Sequence, residues 1–164
     1  MFRDIILMKR GISTEDLARE LGFSKLYFKE DIKDFQMEYL ADYDKKRDYI
    51  KRNKIKILLN PHLVSKKDSL HFRNSGLDHI LCKMMNEGSI AMAVSLDKIS
   101  NYVEIGRIKQ NIRLCRKYNV KMLFFTFADN IYSLRARLDI LAFLEVLGMT
   151  PGEAKNALIN SKTL

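Results

Sequence analysis

The chain lacks long apolar segments and closely spaced cysteines. No apolar run approaches the roughly 20 residues that cross a bilayer, so we expect no membrane partner. Its two cysteines, Cys82 and Cys115, have no CxxC spacing, which favours reduced core thiols over a disulfide. No charged and apolar leader with a small-residue cleavage site opens the chain, and we therefore expect a cytoplasmic protein.

Motifs that cradle a nucleotide or activate a nucleophile are also missing. The seven glycines contain neither GxGxxG nor GxxxxGK spacing, which argues against a nucleotide cofactor. There is no GxSxG elbow, which argues against nucleophilic catalysis. No Pro-, Gly- or Ser-rich linker divides the chain, so we expect a single domain over residues 1–164.

Acidic residues are outnumbered, and the imbalance is uneven along the chain. The net charge is +9, from 29 Lys and Arg against 20 Asp and Glu. Residues 1–54 carry 13 basic and 11 acidic side chains, whereas residues 55–164 carry 16 and 9. A basic surface of this kind favours a polyanion such as nucleic acid or anionic lipid, and the second part of the chain holds most of the excess.

Apolar runs with the character of buried strands alternate with helical patterns. Five such runs cover residues 4–8, 25–28, 55–60, 90–94 and 122–127. Apolar residues with three-to-four spacing predict helices within residues 35–53, 102–119 and 132–148. The alternation predicts an α/β fold with mostly parallel strands and right-handed crossovers.

One stretch, STEDLARELGFSKLYF (13–28), fits two different structures. In a DNA-reading helix-turn-helix, Ser13 would cap the first helix, Gly22 would make the turn and a recognition helix would follow. In an α/β fold, the helix ends at Gly22 and residues 25–28 form a strand. The run at residues 4–8 has no place in a three-helix reader, and the recognition helix would carry acidic residues towards phosphates. We therefore favour the α/β interpretation.

Two later helices have readable starts. Ser75 and Asp78 have capping-box spacing before a helix that closes at Gly88. Thr150 precedes Pro151 at the first helical position, and Glu153 follows at the third, which predicts a short terminal helix.

The three histidines are close together in the sequence. His62, His71 and His79 fall within 18 residues, and Asp68 and Asp78 lie among them. If they converged on one ion, they could form a small metal-dependent phosphoesterase of the polymerase-and-histidinol-phosphatase type. The chain has no HxH or HExxH spacing, so this remains the alternative hypothesis and we expect no metal site.

The basic residues after the third strand are placed to hold a polyanion. Lys66, Lys67 and Arg73 lead into a helix, where the amides of Ser75 and Gly76 would face a phosphate. Loops at the carboxyl ends of parallel strands are also where α/β folds place their sites.

The helix within residues 102–119 carries a second basic array. Its buried stripe is predicted to contain Ile105, Ile108, Ile112 and Cys115, and an adjoining flank holds Lys109, Arg113, Arg116 and Lys117. Leu114 falls on the far side with Arg107, which could mark a protein contact on a basic face.

Three stretches, in this order, resemble archaeal ribonuclease P protein component 3, the family whose eukaryotic counterpart is a subunit of about thirty kilodaltons. They are RNSGLDHILCKMMNEGSIAMAVSL, QNIRLCRKYNVKMLFFTFA and DILAFLEVLGMTPGEAKNAL. The likeness covers most of residues 55–159, and residues 3–30 are similar to the family's opening strand, helix and strand.

The resemblance implies a TIM-barrel-like protein that is not itself the catalyst. In that family the ribonuclease P RNA removes the 5′ leader from precursor tRNA, with Mg²⁺ on the RNA and no cofactor on the protein. The implied partners are this RNA, precursor tRNA, a small RRM-like subunit, and other ribonuclease P proteins or a second copy. By position, the resemblance places RNA contacts at Arg73, Ser75, Gly76, His79, Lys83 and Arg135, with Arg137 near the place of a family proline.

The chain departs from the family in the middle. About two βα units are missing between the second strand and the strand before SGLDH, so we expect five to seven strands and an incomplete or reduced barrel. Open strand edges would then need a helix, a partner or a second copy to cover them.

Overall fold

The computed structural model describes residues 2–39, 43–52, 55–63 and 67–159, and within them it contains six strands and six α-helices. The strands are β1 (Arg3–Ile5), β2 (Lys25–Tyr27), β3 (Met37–Tyr39), β4 (Ile57–Leu59), β5 (Ala91–Ser95) and β6 (Met122–Phe125). The helices are α1 (Ile12–Glu20), α2 (Tyr43–Arg52), α3 (His79–Glu87), α4 (Tyr102–Lys117), α5 (Arg137–Val146) and α6 (Pro151–Ile159). Among the residues described, no helix is long and apolar enough to cross a membrane.

All strand pairs are parallel and fall in two sheets that meet at one corner. One sheet has the order β1-β2 and the other β3-β4-β5-β6. The end of β1 runs beside the end of β6, where Phe127 N donates to Ile5 O at 2.9 Å and Leu7 N donates to Ala128 O at 2.8 Å. The strands therefore follow the order β2-β1-β6-β5-β4-β3. Strands β1 and β6, the first and last along the chain, are neighbours in it, as in a TIM barrel. The predicted α/β, reduced barrel-like fold is confirmed, and the helix-turn-helix alternative is wrong.

Side chains that alternate along the strands fill two separate layers. Ile57, Ala91, Ala93, Leu123 and Phe125 belong to one apolar cluster, on the inner side of the curved sheets. Their neighbours in sequence join a larger cluster with the helices. It contains Ile6, directly after β1, and the strand residues Leu58, Met92, Val94 and Phe124. Because successive strand residues point to opposite faces, both faces must be apolar, which explains the continuous apolar runs in the sequence.

A short 3₁₀ segment of seven residues bridges the open edge of the barrel. Strands β2 and β3 do not pair with each other, and the 3₁₀ segment Lys29–Phe35 links them. The Phe35 ring lies edge-on to the Tyr27 ring, with centroids 4.9 Å apart, and Ile32 packs against the same inner cluster. This segment lies where the sequence lacks βα units, and it covers the inner cluster at that edge.

Strand β3 corrects one prediction. Residues 35–53 were expected to form a single helix, but Met37–Tyr39 pairs in parallel with Ile57–Leu59, and α2 begins only at Tyr43. Gln36 has a left-handed backbone with φ of 47°, which interrupts any helix at this position. Phe35 and Met37 are drawn into the inner cluster, and this tertiary contact overrides the helical spacing.

The first helix also starts differently from the prediction. Gly11, not Ser13, is the N-cap of α1, and no side chain caps it. The predicted end is confirmed, because Gly22 follows the helix with φ of 91°, a conformation that glycine adopts without strain. Cys82 and Cys115 are free and buried in the core, as expected for reduced thiols.

Asp4 ties the two sheets together at their common corner. Its carboxylate accepts hydrogen bonds from Ile5 N at 2.9 Å, Thr126 N at 2.8 Å and the Thr126 hydroxyl at 2.5 Å. Only 1% of the residue is exposed. Burial raises the pKa of Asp4 to about 6, although the hydrogen bonds from Thr126 and Ile5 act in the opposite direction.

The start of α6 confirms the predicted cap and adds an ion pair. Thr150 N donates to the Glu153 carboxylate at 2.8 Å, and Glu153 N donates to the Thr150 hydroxyl at 3.3 Å, which is a capping box. Arg116 of α4 donates two further hydrogen bonds to Glu153, each 2.6 Å long, and one to the carbonyl of Gly148 at 2.7 Å. Arg116 therefore joins α4 to the start of α6.

Replacing Glu153 by Gln should destabilise the protein by about 1 kcal/mol at neutral pH, since the pair is partly exposed. The hydrogen bonds from Arg116 lower the pKa of Glu153 to about 2, below its ordinary 4.5. The carboxylate thus stabilises the fold above pH 4.5, and this stabilisation is lost as the pH falls towards 2. Urea unfolding of wild type and Glu153→Gln should differ at pH 7, and the difference should shrink steadily as the pH falls from 4.5 towards 2. A difference that stays constant with pH would contradict the assignment, and Lys155→Gln on the same helix is the control.

Candidate nucleic-acid interface

Arg107 anchors the loop after β4 to helix α4. Its Nε donates to Asp68 Oδ1 at 2.8 Å, and Nη1 donates to the carbonyl of His62 at 3.2 Å. The Arg107 side chain is only 9% exposed. The sequence-based placement of Arg107 beside Leu114 on an exposed basic face is therefore wrong. Arg107 binds Asp68, which is distant in the sequence, and Leu114 packs partly against the core.

Two amide side chains of α4 hold the rest of the loop. Gln110 Nε2 donates to the carbonyl of Arg73 at 3.2 Å and to the Ser75 hydroxyl at 3.1 Å. Asn111 Nδ2 donates to the carbonyl of Ser75 at 2.8 Å. Asn74 N also donates to Asp68 at 2.9 Å, which closes the loop on itself. The segment 67–78 is therefore an ordered strap along α4.

The strap and α4 enclose a surface that we name the basic groove. It consists of two depressions, of about 540 and 650 Å³, which share Phe72, Arg73 and Gln110. Lys109 and Arg113 line the first depression, and Lys117 lines the second. In the parts of the chain that are described, none of Arg73, Lys109, Arg113 and Lys117 forms an ion pair.

The acids nearest the groove are already paired. Asp68 binds Arg107, as described above. Asp78 is the N-cap of α3: it accepts from Leu81 N at 2.7 Å and pairs with Arg47 at 2.5 Å. The groove therefore carries an excess of positive charge, which suits a polyanion.

The predicted phosphate cradle before α3 has a different geometry. Asp78 caps this helix, and Ser75 does not, so the predicted capping box is wrong. Ser75 is 1% exposed and Gly76 is buried, because α4 holds the strap inward through Gln110 and Asn111. The Asp78 carboxylate occupies the first turn of α3, and Ser75 and Gly76 before it are buried. Their amides therefore do not form an open phosphate site.

The structure places the predicted RNA contacts in several regions. Arg73, Lys109, Arg113 and Lys117 surround the basic groove, and His79 lines its second depression. Lys67 and Lys83 are exposed, on the strap and on α3. Lys66 lies outside the described residues. Arg116 lies in the last turn of α4, where its side chain is held by Glu153. Ile108, Ile112 and Cys115 form the buried stripe of α4, as predicted, with Ile105 packed beside them.

Arg135 and Arg137 lie away from the groove. Arg135 donates to the carbonyls of Tyr132 and Leu134, and it lines a separate, mostly apolar cavity of about 420 Å³ with Asp139. The Arg137 guanidinium stacks over the Phe2 ring at 4.4 Å. Arg137 therefore packs against a side chain of the protein itself.

The histidines do not gather around one point. His62 is buried, His71 lines the first depression, and His79 lines the second. Throughout the described ranges, no group of three His, Cys, Asp or Glu side chains could hold a metal ion.

Two exposed apolar residues were not foreseen from the sequence. Leu70 is 93% exposed and Phe72 is 66% exposed. They lie on a tight turn in which Ser69 N donates to the carbonyl of Phe72 at 3.0 Å and the Ser69 hydroxyl accepts from Phe72 N at 3.1 Å. The signal in the sequence is SLHFR, where apolar residues interrupt a basic and polar loop.

The architecture and this surface define a class: a reduced α/β barrel with a basic groove beside its longest described helix. The chain is similar to ribonuclease P protein component 3 of several archaea. It is 34% identical to that of Methanosarcina mazei and 33% identical to that of Methanococcoides burtonii, each over 92 residues. Each match covers 52% of this chain and 38% of the relative, so the similarity spans about two fifths of the relatives' length. No family model matches the chain.

A solved structure shares the fold over nearly the whole chain. It is a chain in the cryo-EM structure of archaeal ribonuclease P with mature tRNA, with a TM-score of 0.63 and 20% identity. The match covers 98% of this chain and 88% of that one. The curated relatives confirm the resemblance to component 3 that the sequence suggests, and the solved structure shares the fold of this chain.

Proposed function

We propose that this chain is a protein subunit of an archaeal-type ribonuclease P, which binds and supports the catalytic RNA that removes the 5′ leader from precursor tRNA. The observation that carries the proposal is the basic groove, whose four cations have no acidic partner in the described residues of a chain similar to component 3. Phosphate contacts from Lys and Arg dominate the affinity of such proteins for RNA.

In this role the chain supplies binding rather than chemistry. The RNA cuts the phosphodiester, its Mg²⁺ ions are held by RNA, and the protein binds no cofactor. The four cations of the groove neutralise phosphates, with Lys109, Arg113 and Lys117 placed by α4 and Arg73 by the strap. RNA binding of this kind depends on the shape of the RNA more than on its sequence.

The partners we propose follow from the same role. They are ribonuclease P RNA, precursor tRNA and a small RRM-like subunit, with other ribonuclease P proteins or a second copy as further neighbours. The outer edges of β2 and β3 are unpaired within the described chain and offer backbone groups to a partner. We place the assembly in the cytoplasm, where free thiols such as Cys82 and Cys115 stay reduced.

The test is the cleavage activity of the assembled particle. Tagged protein purified gently from its host should remove the 5′ leader of a precursor tRNA in the presence of Mg²⁺. Treatment of the particle with micrococcal nuclease, followed by inactivation of the nuclease, should abolish cleavage. Protein produced alone should not cleave the same substrate. Cleavage by the protein alone would contradict the proposal and would favour the phosphoesterase alternative.

A further inference from the structure

Phe72 is presented to solvent on a turn that does not need it for the core. Backbone and side-chain hydrogen bonds between Ser69 and Phe72 fix the turn, and Gln110 and Arg107 fix the strap on either side of it. The ring is nevertheless 66% exposed. An ordered loop that exposes a large aromatic side chain is typical of a binding surface.

The residue after Phe72 lies against a glycine in the middle of α4. Gly106 is within this 16-residue helix, where glycine costs about 1 kcal/mol relative to alanine. A Cβ at Gly106 would overlap the guanidinium of Arg73, so the glycine leaves space for that side chain against the helix. Arg73 therefore lies between the two depressions, next in sequence to the exposed ring.

An aromatic ring beside unpaired cations suits one kind of ligand better than another. Single-stranded nucleic acid is held by rings on which bases stack and by basic side chains that follow the backbone. In an RNA duplex the base faces are already stacked, and an exposed phenylalanine gains little from it. A protein partner would need acids opposite Arg73, Lys109 and Arg113 as well as an apolar pocket. The charge of the groove favours RNA.

We propose that the basic groove binds an unpaired stretch of RNA, with one base stacked on Phe72 and the flanking phosphates on Arg73, Lys109 and Arg113. This inference rests on the proposed function, because it names the kind of RNA segment that the same site takes. Bulges, loops and single-stranded ends of a structured RNA supply such segments.

The chain contains no tryptophan, so Phe72→Trp creates a single fluorescent reporter at the stacking position. A ten-nucleotide single-stranded oligoribonucleotide of mixed sequence should quench this fluorescence on binding, and the same sequence as a duplex should quench it far less. Tyr132→Trp places a reporter at an 85% exposed position outside the groove and should show no quenching. Equal quenching by single-stranded and duplex RNA at Phe72→Trp would overturn the proposal.

Affinity supplies the second measurement. Phe72→Ala should bind the single-stranded oligoribonucleotide roughly tenfold more weakly than wild type at 0.15 M salt, whereas Phe72→Tyr should keep most of the affinity. Circular dichroism should be unchanged, because the ring is exposed. Equal affinity of Phe72→Ala and wild type overturns the stacking proposal even where wild type still recovers ribonuclease P RNA. Failure to recover that RNA would instead count against the proposed function.

Discussion

Replacing Lys109, Arg113 and Lys117 together by Ala should weaken RNA binding about a hundredfold at 0.15 M salt and leave the fold intact. Each cation that neutralises one phosphate releases counterions from the RNA, so the slope of log K against log salt should become smaller by about 2 to 3. All three side chains lie along the basic groove, and within the described chain none forms an ion pair. Their loss should therefore cost little stability.

A second triple variant separates a localised site from general charge. Lys29, Lys56 and Lys155 are exposed at positions outside the groove, and changing them to Ala removes the same net charge. This control should lose much less affinity for a structured RNA in a filter-binding titration from 50 to 300 mM salt. Equal losses in the two triple variants would show that the protein binds RNA through its overall charge, and the groove would not be the site.

Wild type should lose stability as the pH rises from 4 to 6, and replacing Asp4 by Asn should remove this loss. Burial raises the pKa of Asp4 to about 6 from its ordinary 3.8, so the native state holds this proton more tightly than the unfolded chain. Between these two values the native protein binds more protons, and its stability therefore decreases as the pH rises. The stabilisation of the fold by the protonated Asp4 side chain is complete below pH 4 and lost above pH 6. The shift corresponds to about 3 kcal/mol.

Asparagine is the matched replacement at this corner. Its side-chain oxygen can accept from Ile5 N and Thr126 N, as Asp4 Oδ1 does, and its amide can donate to the Thr126 hydroxyl. Urea unfolding at pH 4.5, 5.5 and 7 should show wild type losing stability relative to Asp4→Asn. The ion pair of Glu153 acts below pH 4.5 and with the opposite sign, so the two effects are separable. Parallel pH profiles for the two proteins would contradict the raised pKa of the buried Asp4 carboxyl.

Local patterns in the sequence predicted most of the fold. Thr150 and Glu153 are three residues apart and cap α6 through their own backbone, so the motif alone was sufficient. Strands β4, β5 and β6 were readable because they are apolar on both faces. Strand β3 was missed because its assignment depends on pairing with β4 and on Phe35 entering the inner cluster, neither of which short-range spacing contains.

The candidate site was harder to predict because its geometry depends on distant partners. Helical periodicity placed Lys109, Arg113 and Lys117 on one flank, and the structure keeps them there. Periodicity could not show that Asp68, 39 residues away, would bury Arg107, or that Glu153 would hold Arg116. Both arginines form contacts that stabilise the fold, and the remaining cations line the basic groove.

The RNA that accompanies the protein in its host decides whether this chain is a ribonuclease P subunit. Tagged wild type and the Lys109, Arg113 and Lys117 triple variant would be purified at low salt, and the bound RNA sequenced. Wild type should enrich one structured RNA whose deproteinised form cleaves precursor tRNA at high Mg²⁺, and the triple variant should recover much less of it. Recovery of no specific RNA by wild type, or equal recovery by both proteins, would contradict the account.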